Sequence, residues 1–259
     1  MLCLLSLGVA VLVQVHQPGS TSVDVTKLKV GAPTAVTELD LGKLKGDLRQ
    51  LAWSADGTQF YVQTVERDGK KDVPHHYVIV AADGAVTPAD AEPAWASEYW
   101  SFKSDRYAPG LPDLVIDVKQ NVENVKYGTG SAGGLDRVNG TSGENDKGGS
   151  ADNVAKASQS QHVRVTSLVL LDQTIGKWAD EKPTPGTTFS WGPAGSGAMA
   201  FVDEEGRLIL LDKQKHTLRV ANTKDARLPA WSTDGSRLAY VSKTGRNKYT
   251  LAWSTVGLP

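Results

Sequence analysis

The strongest constraint on this chain is a repeat. Asp225 to Val241 contains Ala230-Trp231-Ser232-Thr233-Asp234-Gly235, and Asp47 to Val62 contains Ala52-Trp53-Ser54-Ala55-Asp56-Gly57. Laid over each other without a gap, the two stretches share Asp, Arg, Ala, Trp, Ser, Asp and Gly in register. Similarity within one chain at long spacing marks an architecture assembled from copies of one supersecondary unit. Two partial copies extend the pattern: Phe189-Ser190-Trp191-Gly192, and Pro93-Ala94-Trp95-Ala96, which matches Pro229-Ala230-Trp231-Ser232. Trp95 follows Trp53 by 42 residues and Trp231 follows Trp191 by 40.

Each copy reads as strands. Arg49 to Trp53 is apolar and short, and Ser54 to Gly57 is a turn in which glycine accepts a positive φ. Gln59 to Val65 and His76 to Val80 are rich in β-branched and aromatic residues. Strand, turn, strand, turn over about 40 residues is the length of one four-stranded blade, so the spacing predicts an all-β protein, a small β-propeller of about four blades with five possible. In the second unit Tyr99 to Lys103 reads as its second strand, with Trp95 or Trp100 in the place of the repeated tryptophan. Leu168-Val169-Leu170-Leu171-Asp172 resembles Leu208-Ile209-Leu210-Leu211-Asp212, and the two read as the same strand of successive units.

Trp53, Trp95, Trp191 and Trp231, with the turn residues Asp56, Gly57, Asp234 and Gly235, are the structural motif. A lone blade cannot cover its own faces, so the tryptophans belong between sheets. The ends of the chain complement each other: the last unit runs out after three strands, and Val36 to Leu41 precedes the first complete unit without a partner. Pairing of the two would remove an open sheet edge. Loss of residues 1–45 is then expected to loosen 249–256, whereas loss of 1–30 is not.

The pattern Ala-Trp-Ser-x-Asp-Gly-x-x-Leu-Ala-Tyr-Val, complete at 230–241 and partial at 52–62, resembles the WD-like repeat of TolB-type β-propellers. The resemblance is clear at 47–80 and 225–256, fair at 188–220 and weak between 93 and 172. It implies radially arranged four-stranded blades in an exported protein that serves as a binding platform.

The chain divides into a targeting segment at 1–20, a lead at 21–35 and the β domain at 36–259, interrupted by a Gly/Ser-rich insertion at 128–161. That insertion has too few apolar residues to offset its ordering entropy and is expected to be disordered. The apolar run Met1 to Val13 suits the core of a secretory signal and is too short to span a membrane. It also permits a buried strand, since Val9, Val11, Val13 and Val15 alternate with period two. The mature chain is expected in the periplasm or outside the cell, with no stable membrane span and as a monomer. Cys3 is the only cysteine, so no intramolecular disulfide forms.

A net charge of −1 argues against nucleic acid as a partner. Gly128 to Gly133 spells a dinucleotide fingerprint, yet no helix or βαβ unit surrounds it. His75 and His76 are adjacent on a strand and point to opposite faces, so they do not ligate one ion together. No catalytic, cofactor-binding or metal residue stands out. The sequence is read as a non-catalytic scaffold that recognises a protein or cell-envelope component, the alternative being a carbohydrate-active or other small-molecule enzyme with its site in the propeller channel.

Overall fold

The structure, a computed structural model, describes residues 22–69, 71–126, 160–170, 173–179, 189–203 and 205–257. The expected targeting segment lies outside these residues. So does the expected insertion, apart from Ser160 and Gln161, which open a strand.

The described residues are all-β, in four antiparallel sheets. After β1 (Lys29–Val30), β2 (Thr34–Asp40) and the one-turn helix α1 (Leu41–Leu44), the first sheet is β3 (Asp47–Trp53), β4 (Gln59–Asp68), β5 (Lys71–Val80) and β6 (Val86–Ala89), in chain order. A helix, α2 (Ala94–Lys103), precedes the second sheet of β7 (Tyr107–Ala108), β8 (Leu111–Lys126), β9 (Ser160–Leu170) and β10 (Gln173–Ala179). The third sheet is β11 (Phe189–Trp191), β12 (Met199–Val202), β13 (Leu208–Leu211) and β14 (Thr217–Arg219). The fourth holds β15 (Ala226–Trp231), β16 (Arg237–Gly245) and β17 (Lys248–Gly257). β9 and β13 are both third strands, as their shared Leu-rich ends suggest.

The fourth sheet is completed from the other end of the chain. β2 pairs antiparallel with β17, from Lys248 opposite Asp40 to Trp253 opposite Thr34. This is the pairing expected of Val36 to Leu41, shifted at its ends: it takes in Thr34 and stops at Asp40, where the Asp40 carboxylate caps α1 by accepting from Gly42 N.

The period of two places alternate residues on opposite faces. In β16, Ala239 and Val241 pack towards the first sheet with Leu51, Phe60 and Ile79. Leu238 and Tyr240 pack towards the third with Ala200, Leu208 and Leu210. The third sheet turns Trp191, Phe201 and Leu211 onto Ala108, Leu114 and Ile116 of the second. Sheets two, three, four and one are therefore in series, each joined to the next by a buried apolar layer. Trp53, Trp191 and Trp231 are at most 1% exposed and are the largest fully buried side chains, as expected of the repeated tryptophan.

Two expectations are corrected. Tyr99 to Lys103 is not a strand, and neither Trp95 nor Trp100 stands on a strand as Trp231 does: all lie in α2. Ala96, Tyr99, Trp100 and Lys103 are the buried residues of this helix, at the i, i+3, i+4, i+7 spacing of one helical face. Ala94 to Lys103 contains no β-branched residue, and Pro93 is extended at its N-cap. The segment before residue 31 is also not a bystander. Val25 is fully buried, Leu28 nearly so, and Lys29 and Val30 pair with Gly257 and Val256. Its loss should loosen the end of β17 as well.

Candidate binding face at the turn end

The first hairpin turn of every sheet lies at one end of the molecule, because neighbouring turns touch. A side chain added at Gly235 would run into the Pro193 ring, and Gly195 N donates to Pro109 O at 2.7 Å. Gly57 and Gly235 have φ of 69° and 76°, the left-handed region that favours glycine. The turns Ser54–Gly57 and Ser232–Asp234 line a common cleft of about 40 Å³ with Arg237.

The repeated Ser-x-Asp-Gly builds one hydrogen-bond network twice. Ser54 Oγ donates to Asp56 Oδ1 at 2.6 Å, Thr58 N donates to the same oxygen, and Thr58 Oγ1 donates to Oδ2. Ser54 Oγ in turn accepts from Gln59 N at 2.9 Å. In the fourth sheet Ser232, Asp234, Ser236 and Arg237 N repeat these bonds, with 2.6 Å and 2.9 Å at the corresponding positions. Donation from Ser54 and Thr58 holds the Asp56 carboxyl below its usual range. For Asp234, partial burial pulls upward, but donors from Ser232 and Ser236 and the Arg237 charge outweigh it. Each carboxylate is thus committed to closing its own turn.

α2 sits where the first strands of three sheets converge, packing on β3 and β11. Tyr99 OH donates to Trp231 O at 2.9 Å and lies 3.2 Å from Ser190 Oγ, which accepts from Trp231 N. Lys103, only 2% exposed, donates from Nζ to Gly192 O at 3.0 Å. Burial pushes the Lys103 ammonium down to about 8, with the Asp234 charge opposing. The repeated tryptophans add bonds between sheets: Trp53 Nε1 donates to Ala230 O at 2.9 Å and Trp191 Nε1 to Asp105 O at 2.8 Å, whereas Trp231 Nε1 closes its own turn on Gly235 O. Trp95 stays half-buried, edge-on to Tyr61.

His75, His76 and His216 do not converge. His75 and His76 face opposite ways, His75 Nε2 lying 3.1 Å from Glu66 and His76 Nδ1 2.6 Å from Tyr61 OH. Burial pushes the Tyr61 hydroxyl up to about 12. His162 lies in β9. His216 Nδ1 is 3.0 Å from Asp212 Oδ2 and 3.7 Å from Asp24 Oδ1, the one cluster of three such groups among the described residues whose ligand atoms could share an ion. The Asp212 carboxylate, fully buried, already accepts from Val25 N, Gln214 N and His216 N. This arrangement latches the N-terminal segment to the third sheet.

The repeat motif identified the turns but not the groups that α2 brings to them. Tyr99 and Lys103 were hidden by the strand reading of 99–103, and the spacing 96, 99, 100, 103 was the available signal. Arg237 is conspicuous only in space, where its guanidinium carbon lies 5.1 Å from the Trp253 ring centroid and 6.0 Å from that of Trp53.

No family model matches the chain, and no curated protein matches it. Among solved structures it is similar to Sqt1 from Chaetomium thermophilum, at 11% identity and a TM-score of 0.22, over 82% of this chain and 44% of that one. A second structure of Chaetomium thermophilum Sqt1 matches at 12% identity and a TM-score of 0.21, over 82% and 45% of the two chains. A third, of Sqt1 bound to the N-terminus of the ribosomal protein L10, matches at 12% and 0.22, over 82% and 46%. The chain matches less than half the length of each.

Proposed function

We propose that this chain is an exported four-bladed propeller of the TolB-type repeat kind, and that it acts without catalysis as a platform for a protein or cell-envelope component. Four sheets of like strand order, packed in series and with β2 supplying the outer strand of the last, support the propeller. The observation that carries the functional reading is α2. It fills the place where β3, β11 and β15 converge and ties Tyr99 and Lys103 to main-chain carbonyls there. The cleft between the Ser54–Gly57 and Ser232–Asp234 turns, at about 40 Å³, is itself too small for a small-molecule site, which takes several hundred Å³. What this end offers is a rim of exposed turns, the arrangement suited to a macromolecular partner.

The reading is tested by photo-crosslinking in the native cells. A photoreactive residue is placed at the exposed Ala55 or Thr233 of the turn end, or at Asp68 or Arg246 of the hairpins at the opposite end. A discrete adduct from the first pair alone, in the exported fraction, is the expected result. Adducts from both ends, adducts from neither, or retention of the chain in the cytoplasm would each overturn it.

A further inference from the structure

Arg237 is the residue that the fold leaves unexplained. It is half-buried on β16, held against Trp253 and reaching Trp53. Its backbone N–H closes the Ser232 turn, but among the described residues no carboxylate or carbonyl accepts from its guanidinium. The nearby Asp56 and Asp234 carboxylates each accept three bonds from their own serine, threonine and amide donors, and Asp234 feels the Arg237 charge without a direct hydrogen bond to it. A guanidinium partly removed from water, held near two rings and without a protein acceptor among the described residues is preorganised for a planar anion. Such bonds, charge-assisted and two at a time, are the strong ones.

Arg237 also borders an open cleft of about 540 Å³, lined by Lys29, Val30, Gly31, Ser236, Thr255 and Val256 together with Gly257. Lys29 supplies a second cation and no acidic residue lines the cleft, whereas the smaller cleft across Arg237 carries two carboxylates. Val30 and Val256 give it an apolar wall. With two cations and two valines in its lining, it matches an acidic side chain next to an apolar one more closely than it matches a bare inorganic anion.

We propose that this cleft takes an acidic segment of a protein partner, a Glu or Asp carboxylate pairing with the Arg237 fork and Lys29 meeting a second negative charge. The assignment rests on the binding-platform reading and narrows it to a partner chemistry and to one side of the turn rim.

The probes are the blocked peptide Ac-Glu-Val-Glu-NH2, its Gln-Val-Gln counterpart and inorganic phosphate, titrated into the full chain while the indole N–H resonances of Trp253 and Trp53 are followed. Saturable shifts with the Glu peptide are expected. They should weaken about tenfold or more in R237A and R237K, because a bidentate charge-assisted pair is lost. They should weaken a few-fold in K29A, whose side chain is exposed. K29A keeps the test decisive even where Arg237 variants disturb the Trp stack, since it touches no ring. Equal shifts with the Gln peptide, binding undiminished in all three variants, or phosphate saturating where the Glu peptide does not would overturn the assignment. Crosslinks from Ala55 and Thr233 that persist alongside such a result would refute this cleft and leave the platform reading standing.

Discussion

Pro229-Ala230-Trp231-Ser232 and Pro93-Ala94-Trp95-Ala96 begin alike and end in opposite structures. The first runs into Thr233-Asp234-Gly235, and there the serine and aspartate close a hairpin turn and Trp231 becomes fully buried. The second runs into Ser97-Glu98-Tyr99-Trp100, with neither a glycine for a positive φ nor an aspartate to gather the turn's amides. With no turn to make, the chain winds into α2 and leaves Trp95 only partly buried at the edge of the core. The tryptophan is shared, so the conformation is decided by the residues on its C-terminal side.

The widest separation between the two sites should appear on truncating their tryptophans. W231A opens a cavity in a closed layer and is expected to cost about 3–5 kcal/mol, whereas W95A should cost clearly less, since its ring is only partly buried at the edge of the core. Urea unfolding midpoints of the two variants measure the difference, and similar losses would mean that Trp95 carries core packing after all.

A proline at the exposed Glu98 tests whether α2 is a required helix or a strand in waiting. E98P removes an interior helix bond and clashes with the preceding turn, so a loss of about 3 kcal/mol is expected. It should come with faster amide exchange at Trp231 and Gly192, whose main-chain oxygens receive Tyr99 and Lys103. An unchanged unfolding midpoint would show that 94–103 can adopt the extended form of its counterpart.

The smallest effect concerns Lys103, where burial takes the ammonium from an ordinary 10.5 to about 8 in the fold. Below pH 8 the lysine is protonated in both folded and unfolded chains. Between about 8 and 10.5 only the unfolded chain holds the proton, so this group's contribution to stability rises with pH across that window and is lost as pH falls through 8. The full rise is on the order of 3 kcal/mol, of which the part below pH 9.5 is accessible before tyrosines titrate. Unfolding of the wild type and K103M at pH 7.5, 8.5 and 9.5 should show the rise in the first and its absence in the second. Parallel pH profiles would place the ammonium in contact with water.

The turns, the sheet faces and the closure of the fourth sheet are legible in the chain because each has a short-range cause. Ser-x-Asp-Gly closes its turn with bonds two to five residues apart, so the motif names its own network. The alternation in β4, β16 and β17 gives both faces of a sheet, and the burial of Trp53, Trp191 and Trp231 comes from a sheet's need to be covered on both sides. The partnering of β2 with β17 is legible for a different reason: an unfinished sheet at one end of the chain and an unclaimed strand at the other leave one economical answer.

Local sequence is enough to set the repeating unit, its turns and the residues that fill the layers between sheets, since these depend on neighbours a few positions away. Only the packed molecule decides that Val25 and Lys29 belong to the ordered structure, that Tyr99 and Lys103 reach carbonyls 132 and 89 residues distant, and that Arg237 stands between two tryptophans without an acceptor. Those are meetings of residues far apart in the chain. Their energies come from burial and desolvation, which exist only once the sheets have been brought together.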